Sequence, residues 1–195
     1  MKYYVDIVLI SNEEENLGYL WRKLYAQIHL ALVEVRDEND LVSIGLAFPK
    51  YSDNRFLGDT LRLFSSTKEE LESLKLEQWL SRLEGYVFVG KIKKVPATVT
   101  EFVSFQRKQF KTNAERLARR QAKRKNISFE EALKNYENFD EEAKKEKNRL
   151  PYINVKSLSS NREMKLFIAK SDVKEENKGL FSTYGLSSES TVPIF

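Results

Sequence analysis

Apolar side chains alternate with other residues at Tyr3, Val5, Ile7 and Leu9, so residues 2–10 read as a β-strand with one side turned to a core. The period then lengthens. Leu17, Leu20, Trp21, Leu24, Ile28 and Leu32 recur at steps of three and four, which predicts a helix over about residues 13–35 with one apolar face. Residues 41–48 (LVSIGLAF) return to a strand pattern and stop at Pro49, and 59–64 (DTLRLF) read as the next strand. Thr67 and Glu70 have capping-box spacing, and Leu71, Leu74, Trp79, Leu80 and Leu83 carry the helix they open as far as Gly85. Residues 86–95, closed by Pro96, are a fourth strand. The resulting order, β-α-β-β-α-β, is that of the ferredoxin-like split βαβ arrangement, which hosts many functions and is frequent among RNA-binding modules.

Beyond this the pattern is less regular. PATVT (96–100) reads as a linker, 101–110 as an extended segment or loop, and Thr112 or Asn113 as the cap of a helix ending near Asn126. Ser128 and Glu131 form another capping-box pair, opening a charged helix that runs on through residues 129–147, of which 137–147 could instead be a surface loop. Three strand-like pieces follow, LPYINVKS, EMKLFIAK and FSTYGLS. The fold class is α+β, with a ferredoxin-like domain over residues 1–96 and a second domain over 97–195 built on the helix and the short strands.

Composition narrows the chemistry. The chain has no cysteine and a single histidine, which excludes disulfides, thiol catalysis, Cys-ligated zinc, iron–sulfur clusters and any two-histidine metal site. No signal peptide is visible, and no apolar run approaches the ~18 residues of a membrane helix, so a cytoplasmic setting is expected. The net charge of +4 conceals an uneven distribution. Residues 107–125 hold nine Lys or Arg against one acid, a surplus of +8, which leaves −4 for the remainder. Within that stretch Arg116, Arg119, Arg120, Lys123 and Arg124 fall at i, i+3, i+4, i+7 and i+8, one basic helical stripe, with Leu117 the main apolar residue to dock it. Charge runs are usually solvated faces, but those mix signs, whereas acids are absent from 116 to 125; a polyanion such as RNA is the expected partner. Just upstream, Arg107 and Gln109 point the same way in an extended chain, and such side chains can read guanine and adenine edges respectively.

The lone histidine, His29, lies beside the apolar face of the first helix, with Tyr25 and Trp21 one and two turns before it. It is either a structural residue at a half-buried helix edge or a general base, since histidine alone has an ordinary pKa, ~6.5, near neutrality. Metal-free RNA cleavage needs little more: a base takes the proton of a 2′-hydroxyl, which attacks the adjacent phosphorus and expels the 5′-oxygen, while hydroxyl and cationic groups hold geometry and charge. Ser157, Ser159 and Tyr184 are candidate partners, each of which could equally be an ordinary hydrogen-bonding residue.

The chain resembles, nearly end to end, the CRISPR-associated endoribonuclease that processes precursor crRNA in type I-F systems. The residues that carry the resemblance are the YYVDI start, the histidine in KLYAQIHLAL, IGLAFP, KTNAERLARRQAKRK, LPYINVKSLSS, LFI and the closing STYGLS and VPIF. The resemblance implies a ferredoxin-like domain followed by a domain that grips an RNA hairpin with the arginine-rich helix in its major groove. It implies cleavage 3′ of the stem without metal or other cofactor, leaving a 2′,3′-cyclic phosphate and a 5′-hydroxyl. Its catalytic histidine falls on His29, its active-site serine on Ser157 and its active-site tyrosine on Tyr184. Its base-reading pair falls on Arg107 and Gln109, and its groove-facing residues within Arg116, Arg119, Arg120, Lys123 and Arg124; Ser159 is counted with the RNA contacts. Met164 stands where the family often has an aromatic residue that stacks on the terminal base pair, and Ala114 where a proline often opens the helix. The implied partners are the repeat hairpin, as precursor and as mature crRNA, and the subunits of a type I-F surveillance complex, with no membrane. The alternatives are a non-catalytic hairpin-binding protein and a module whose basic helix binds an acidic protein.

Overall fold

The computed structural model describes residues 1–11, 16–52, 54–110, 114–136, 145–156 and 162–195. It is an α+β protein. Strand β1 (Tyr3–Leu9) buries Val5, Ile7 and Leu9, three of the four positions that the alternation assigned to the core, with Tyr3 partly buried. Helix α1 (Leu17–Glu34) starts on Asn16, whose side chain accepts the Tyr19 N–H at 2.9 Å, and buries Leu20, Trp21, Leu24, Tyr25, Ile28, Ala31 and Leu32. The expected start of this helix at residue 13 lies outside the described residues.

The strand expected over 41–48 is divided. β2 (Leu41–Val42) and β3 (Gly45–Ala47) turn to different partners, β2 to a strand from the far end of the chain and β3 to β4 (Thr60–Ser65). After Thr67 closes a complete capping box with Glu70, the expected single helix breaks into α2 (Lys68–Ser73), α3 (Leu76–Trp79) and a 3₁₀ turn at Ser81–Leu83. Lys75 between them takes a left-handed conformation, φ 47°. The reason lies in Leu74 and Leu76, which are 1% and 8% exposed. Residues two apart do not share a face of an α-helix, so both reach the core only if the helix breaks between them. The fourth strand also divides, into β5 (Val87–Val89) and β6 (Lys93–Lys94), both antiparallel to β1, with the Gly90 N–H still bonded to the Asp6 carbonyl at 2.8 Å. The sheet order is β3-β4-β1-β5 with β6 also on β1, and each of these pairings is antiparallel.

The extended segment becomes β7 (Phe102–Lys108). It is followed by α4 (Ala114–Lys125) and α5 (Phe129–Lys134), the latter capped by Ser128, whose side chain accepts the Glu131 N–H at 3.1 Å. The helix expected to continue to 147 is interrupted: α5 ends at Lys134, capped by Asn135, and residues 145–149 are helical again, while 137–144, like the Thr112 and Asn113 caps, lie outside the described residues. Then come β8 (Tyr152–Lys156), β9 (Glu163–Val173), β10 (Phe181–Ser182) and β11 (Val192–Pro193), the last not anticipated from the sequence. β11-β7-β9-β8 form a second antiparallel sheet, and β10 pairs with β2.

One buried cluster joins the two sheets. Leu20, Leu24 and Ile28 of α1 share it with Val103 and Phe105 of β7, Ile153 and Val155 of β8, and Leu166 and Ile168 of β9. The chain's end is fastened to the first sheet by Arg62. Its guanidinium grips both Asp6 carboxylate oxygens, at 2.6 and 3.0 Å, donates to the Phe195 carbonyl at 3.0 Å, and covers the Tyr4 and Phe195 rings. The segment between β10 and β11 is thus held at both ends, and it runs past α1.

Candidate functional site

That segment makes a tight turn. The Gly185 N–H donates to the Ser182 carbonyl at 2.7 Å, and the Ser182 N–H and hydroxyl both donate to the Leu186 carbonyl, at 3.1 and 2.9 Å. The turn is tied to β3 by the Leu46 N–H, which donates to the Gly185 carbonyl at 2.8 Å. Gly185 has φ +67°, and a Cβ built on it would overlap the Leu46 side chain. Backbone conformation and space both call for glycine here. The result is that Thr183 and Tyr184 stand at the tip of the turn, facing α1.

Helix α1 holds this tip with two side chains one turn apart. The Tyr25 hydroxyl donates to the Tyr184 carbonyl at 2.7 Å, and His29 Nδ1 meets the Thr183 carbonyl at 2.8 Å. The His29 ring lies flat on the Tyr184 ring, 4.4 Å between centroids and 6° between planes. A carbonyl only accepts, so His29 Nδ1 carries a hydrogen, and in the neutral ring Nε2 is left as the bare acceptor. Burial pushes the Tyr25 phenol far above its ordinary pKa; neighbouring Tyr184 adds to the rise and Arg107 opposes it. Tyr25 is therefore a donor at any working pH.

His29 is half-buried and opens on a cleft of about 570 Å³, shared with Thr183, Tyr184, Val155, Lys156 and, at its far end, Arg36 and Asp40. The last two neutralise each other at 2.8 Å. From the other sheet comes Arg107, opposite Ile168 near the end of β7. Its guanidinium carbon lies 5.4 Å from the Tyr184 ring centroid, and its Nη2 is 3.7 Å from Met164 Sδ.

The fold thus gathers His29, Tyr184, Arg107 and Met164, which are distant in sequence. Gln109 is exposed beyond the end of β7. Ser157 and Ser159 lie outside the described residues; Lys156, which lines the cleft, immediately precedes Ser157. On α4, Arg116, Arg119, Arg120, Lys123 and Arg124 are all exposed. Arg119 faces Glu115 at 3.7 Å and the Phe129 ring at 5.8 Å, while Arg120, Lys123 and Arg124 form no ion pair among the described residues. The helix is not docked as expected: Leu117 is only half-buried, and Ala118 is the residue wholly enclosed. Its neighbour α5 likewise encloses Ala132, and small side chains at both places let the two helices approach closely.

Three contributors escaped the sequence. Tyr25 stood one turn before His29 with no role assigned, and Thr183 acts through its backbone alone. The need for glycine at 185 arises from Leu46 on a distant strand.

Over residues 4–195 the chain matches the family described as CRISPR-associated protein (Cas_Csy4). It is 34% identical over 196 residues to the CRISPR-associated endonuclease Cas6/Csy4 of Escherichia coli (strain UTI89 / UPEC), with 100% of both chains covered. It is 32% identical over 197 residues, again with 100% of both covered, to the protein of the same name from Pseudomonas aeruginosa (strain UCBPP-PA14).

Proposed function

The chain belongs to the CRISPR-associated Cas_Csy4 family, and on that footing we propose that it is the endoribonuclease that cuts precursor crRNA at the 3′ base of the repeat stem-loop. The observation that carries the chemistry is the fixed imidazole of His29. With Nδ1–H committed to the Thr183 carbonyl, Nε2 takes the proton of the 2′-hydroxyl that precedes the scissile phosphate. The freed 2′-oxygen attacks phosphorus and the P–O5′ bond breaks, the 5′-oxygen taking a proton from water, which gives a 2′,3′-cyclic phosphate and a 5′-hydroxyl, and the imidazolium then returns its proton to solvent. The imidazolium formed on the way is eased in two ways: its Nδ1–H bond to a carbonyl becomes charge-assisted, and its ring already lies on the electron-rich face of Tyr184. Ser157 is assigned to hold the attacking hydroxyl and Ser159 the RNA backbone.

The step is assigned no metal: the base, the attacking hydroxyl and the leaving oxygen exchange only protons and the phosphoryl group. The helix α4 is assigned to the stem, with Arg116, Arg119, Arg120, Lys123 and Arg124 tracking phosphates in its groove. Arg107 and Gln109 are assigned to base edges near the foot of the stem, and Met164 to the terminal base pair, with less planar overlap than an aromatic ring would give. The antiparallel order β3-β4-β1-β5 supports reading residues 1–96 as the ferredoxin-like domain, with 97–195 as the hairpin-binding one. After cleavage the protein stays on the mature crRNA and joins the type I-F surveillance complex, in the cytoplasm. Among the described residues no helix is long and apolar enough to cross a membrane.

The test is the repeat RNA incubated with the protein in EDTA, beside the same RNA with a 2′-deoxy nucleotide before the scissile phosphate. The reading expects cyclic-phosphate ends from the first and no cut in the second, with similar affinity for both. Cleavage of the deoxy substrate contradicts 2′-hydroxyl attack. Both RNAs bound and neither cut would make the protein a hairpin binder.

A further inference from the structure

The cleft at His29 runs on beyond the imidazole. Along α1 its wall is Ala26, Leu30 and Val33, which share the face of His29 at steps of three and four, and Val155 of β8 stands across from them. The register of the second sheet gives the cleft a direction. Its strands lie in the order β7-β9-β8, and Arg107, Met164 and Val155 follow one another across it: Arg107 Nη2 is 3.7 Å from Met164 Sδ, and Met164 is paired with Val155. The groups assigned to the foot of the stem therefore lie toward β7. The cleft opens toward β8, and neither Arg107 nor Met164 lines it.

The far end of the cleft is polar and held in place. Asp37 Oδ1 accepts the N–H groups of Asn39 and Leu41, at 2.9 and 2.8 Å, and the turn so formed carries Asp40. Arg36 Nε lies 2.8 Å from Asp40 Oδ1, and Arg36 Nη1 donates to the Val33 carbonyl at 3.4 Å. The pair sets N–H donors beside carboxylate acceptors with no net charge. Apolar walls that end in a neutral donor–acceptor pair suit a nucleobase, whose faces are apolar and whose edge carries both kinds of group. A phosphate wants an unopposed cation, and the cleft has one in Lys156, which forms no ion pair among the described residues. The volume of about 570 Å³ lies within the ~300–1,000 Å³ of small-ligand sites and has room for one nucleotide.

We propose that this cleft seats the nucleoside that leaves, an inference that rests on the reaction proposed above. The base of the first nucleotide after the scissile phosphate lies between Leu30 and Val33 on one side and Val155 on the other, its edge on Arg36 and Asp40, with Lys156 at its phosphate. The strand is then held on both sides of the bond that breaks, by the foot of the stem and by the first downstream base. Such a grip sets the attacking 2′-oxygen, phosphorus and the leaving 5′-oxygen in line, so the rate of cleavage depends on a base that the stem does not contain.

Single-turnover cleavage at saturating protein is measured on two repeat hairpins that differ only in the nucleotide after the scissile phosphate, ordinary in one and abasic in the other. Wild type should cut the abasic RNA roughly tenfold more slowly, the order that one base held out of water supplies. Val33→Trp, which fills the cleft, should cut both RNAs at the slow rate. Arg36→Met, a change at an exposed side chain, should lose part of the advantage of the ordinary RNA and leave the abasic rate as it was. Equal rates on the two RNAs in wild type, or a full abasic penalty in both variants, would overturn the proposal. A second readout needs no cleavage. With 2-aminopurine as the first downstream base of the uncut 2′-deoxy hairpin, binding to wild type should change its fluorescence, and Val33→Trp should abolish the change. No change in wild type, or one that survives in Val33→Trp, would overturn the proposal as well. If wild type cuts neither RNA while the probe responds as expected, the cleft holds the base and the nuclease reading alone has failed.

Discussion

Tyr25 and His29, one helical turn apart on α1, bond to the carbonyls of two consecutive residues of the tail, Tyr184 and Thr183, at 2.7 and 2.8 Å. The helix thereby holds the backbone of the tail as well as the Tyr184 ring, and the second of these bonds fixes the hydrogen on His29 Nδ1. Structure and chemistry are inseparable at this point.

Tyr25→Phe removes one of the two bonds and leaves a carbonyl without its partner. It should cost about 1–3 kcal/mol of stability, the range for an unsatisfied buried group, measured by urea unfolding. Single-turnover cleavage at saturating protein should slow several-fold while hairpin affinity holds. A cleavage rate equal to wild type would show that the anchor has no bearing on the reaction.

Gly185→Ala meets both a left-handed backbone and the Leu46 side chain. Roughly 2–4 kcal/mol of destabilisation is expected from the two together, along with loss of cleavage. Adding Leu46→Ala should restore part of the cleavage by removing the overlap, though not the backbone strain. No recovery in the double variant would mean that conformation alone demands the glycine.

Lys123→Ala and Arg124→Ala remove exposed cations of α4 that form no ion pair among the described residues. Each should weaken binding to hairpins of any sequence and flatten the salt dependence by about one counterion. Titrating affinity against salt checks this, and an unchanged slope would place that residue away from phosphate.

Glu70 supplies a pH test of the fold. Burial pushes its carboxyl up, but hydrogen bonds from Ser43 and from the Thr67 side chain and backbone outweigh that, and its pKa is lowered overall. A lowered folded-state pKa stabilises the protein above the ordinary carboxylate range, and the contribution is lost as pH falls through the folded value. The stability advantage of wild type over Glu70→Gln should therefore be full at neutral pH and shrink in acid. An advantage that grows on acidification would contradict the sign.

The sequence displayed local order well. Leu20, Leu24, Ile28 and Leu32 announced α1 by spacing, and Thr67 with Glu70 announced α2, because both are contacts within a turn or two of chain. It did not display the break at Lys75, since the demand that Leu74 and Leu76 both be buried comes from the core they meet. The site is harder still. His29 and Tyr184 meet across 155 residues, and no periodicity links them; only resemblance to a family brought them together in advance. Bonds to the carbonyls of Thr183 and Tyr184 leave no trace in residue type, and the close packing of α4 was assigned to Leu117 because an alanine carries no apolar signal strong enough to nominate Ala118.

The central claim is that His29 removes the proton from the attacking hydroxyl. Its most direct measurement is the single-turnover rate at which wild type and His29→Ala cleave the native repeat hairpin in EDTA, with affinity determined on the same preparations. The account predicts a loss of about 10²–10⁴-fold in rate, the usual contribution of a general base, with hairpin affinity within a few-fold of wild type. A folded His29→Ala protein that cleaves within tenfold of the wild-type rate would contradict it.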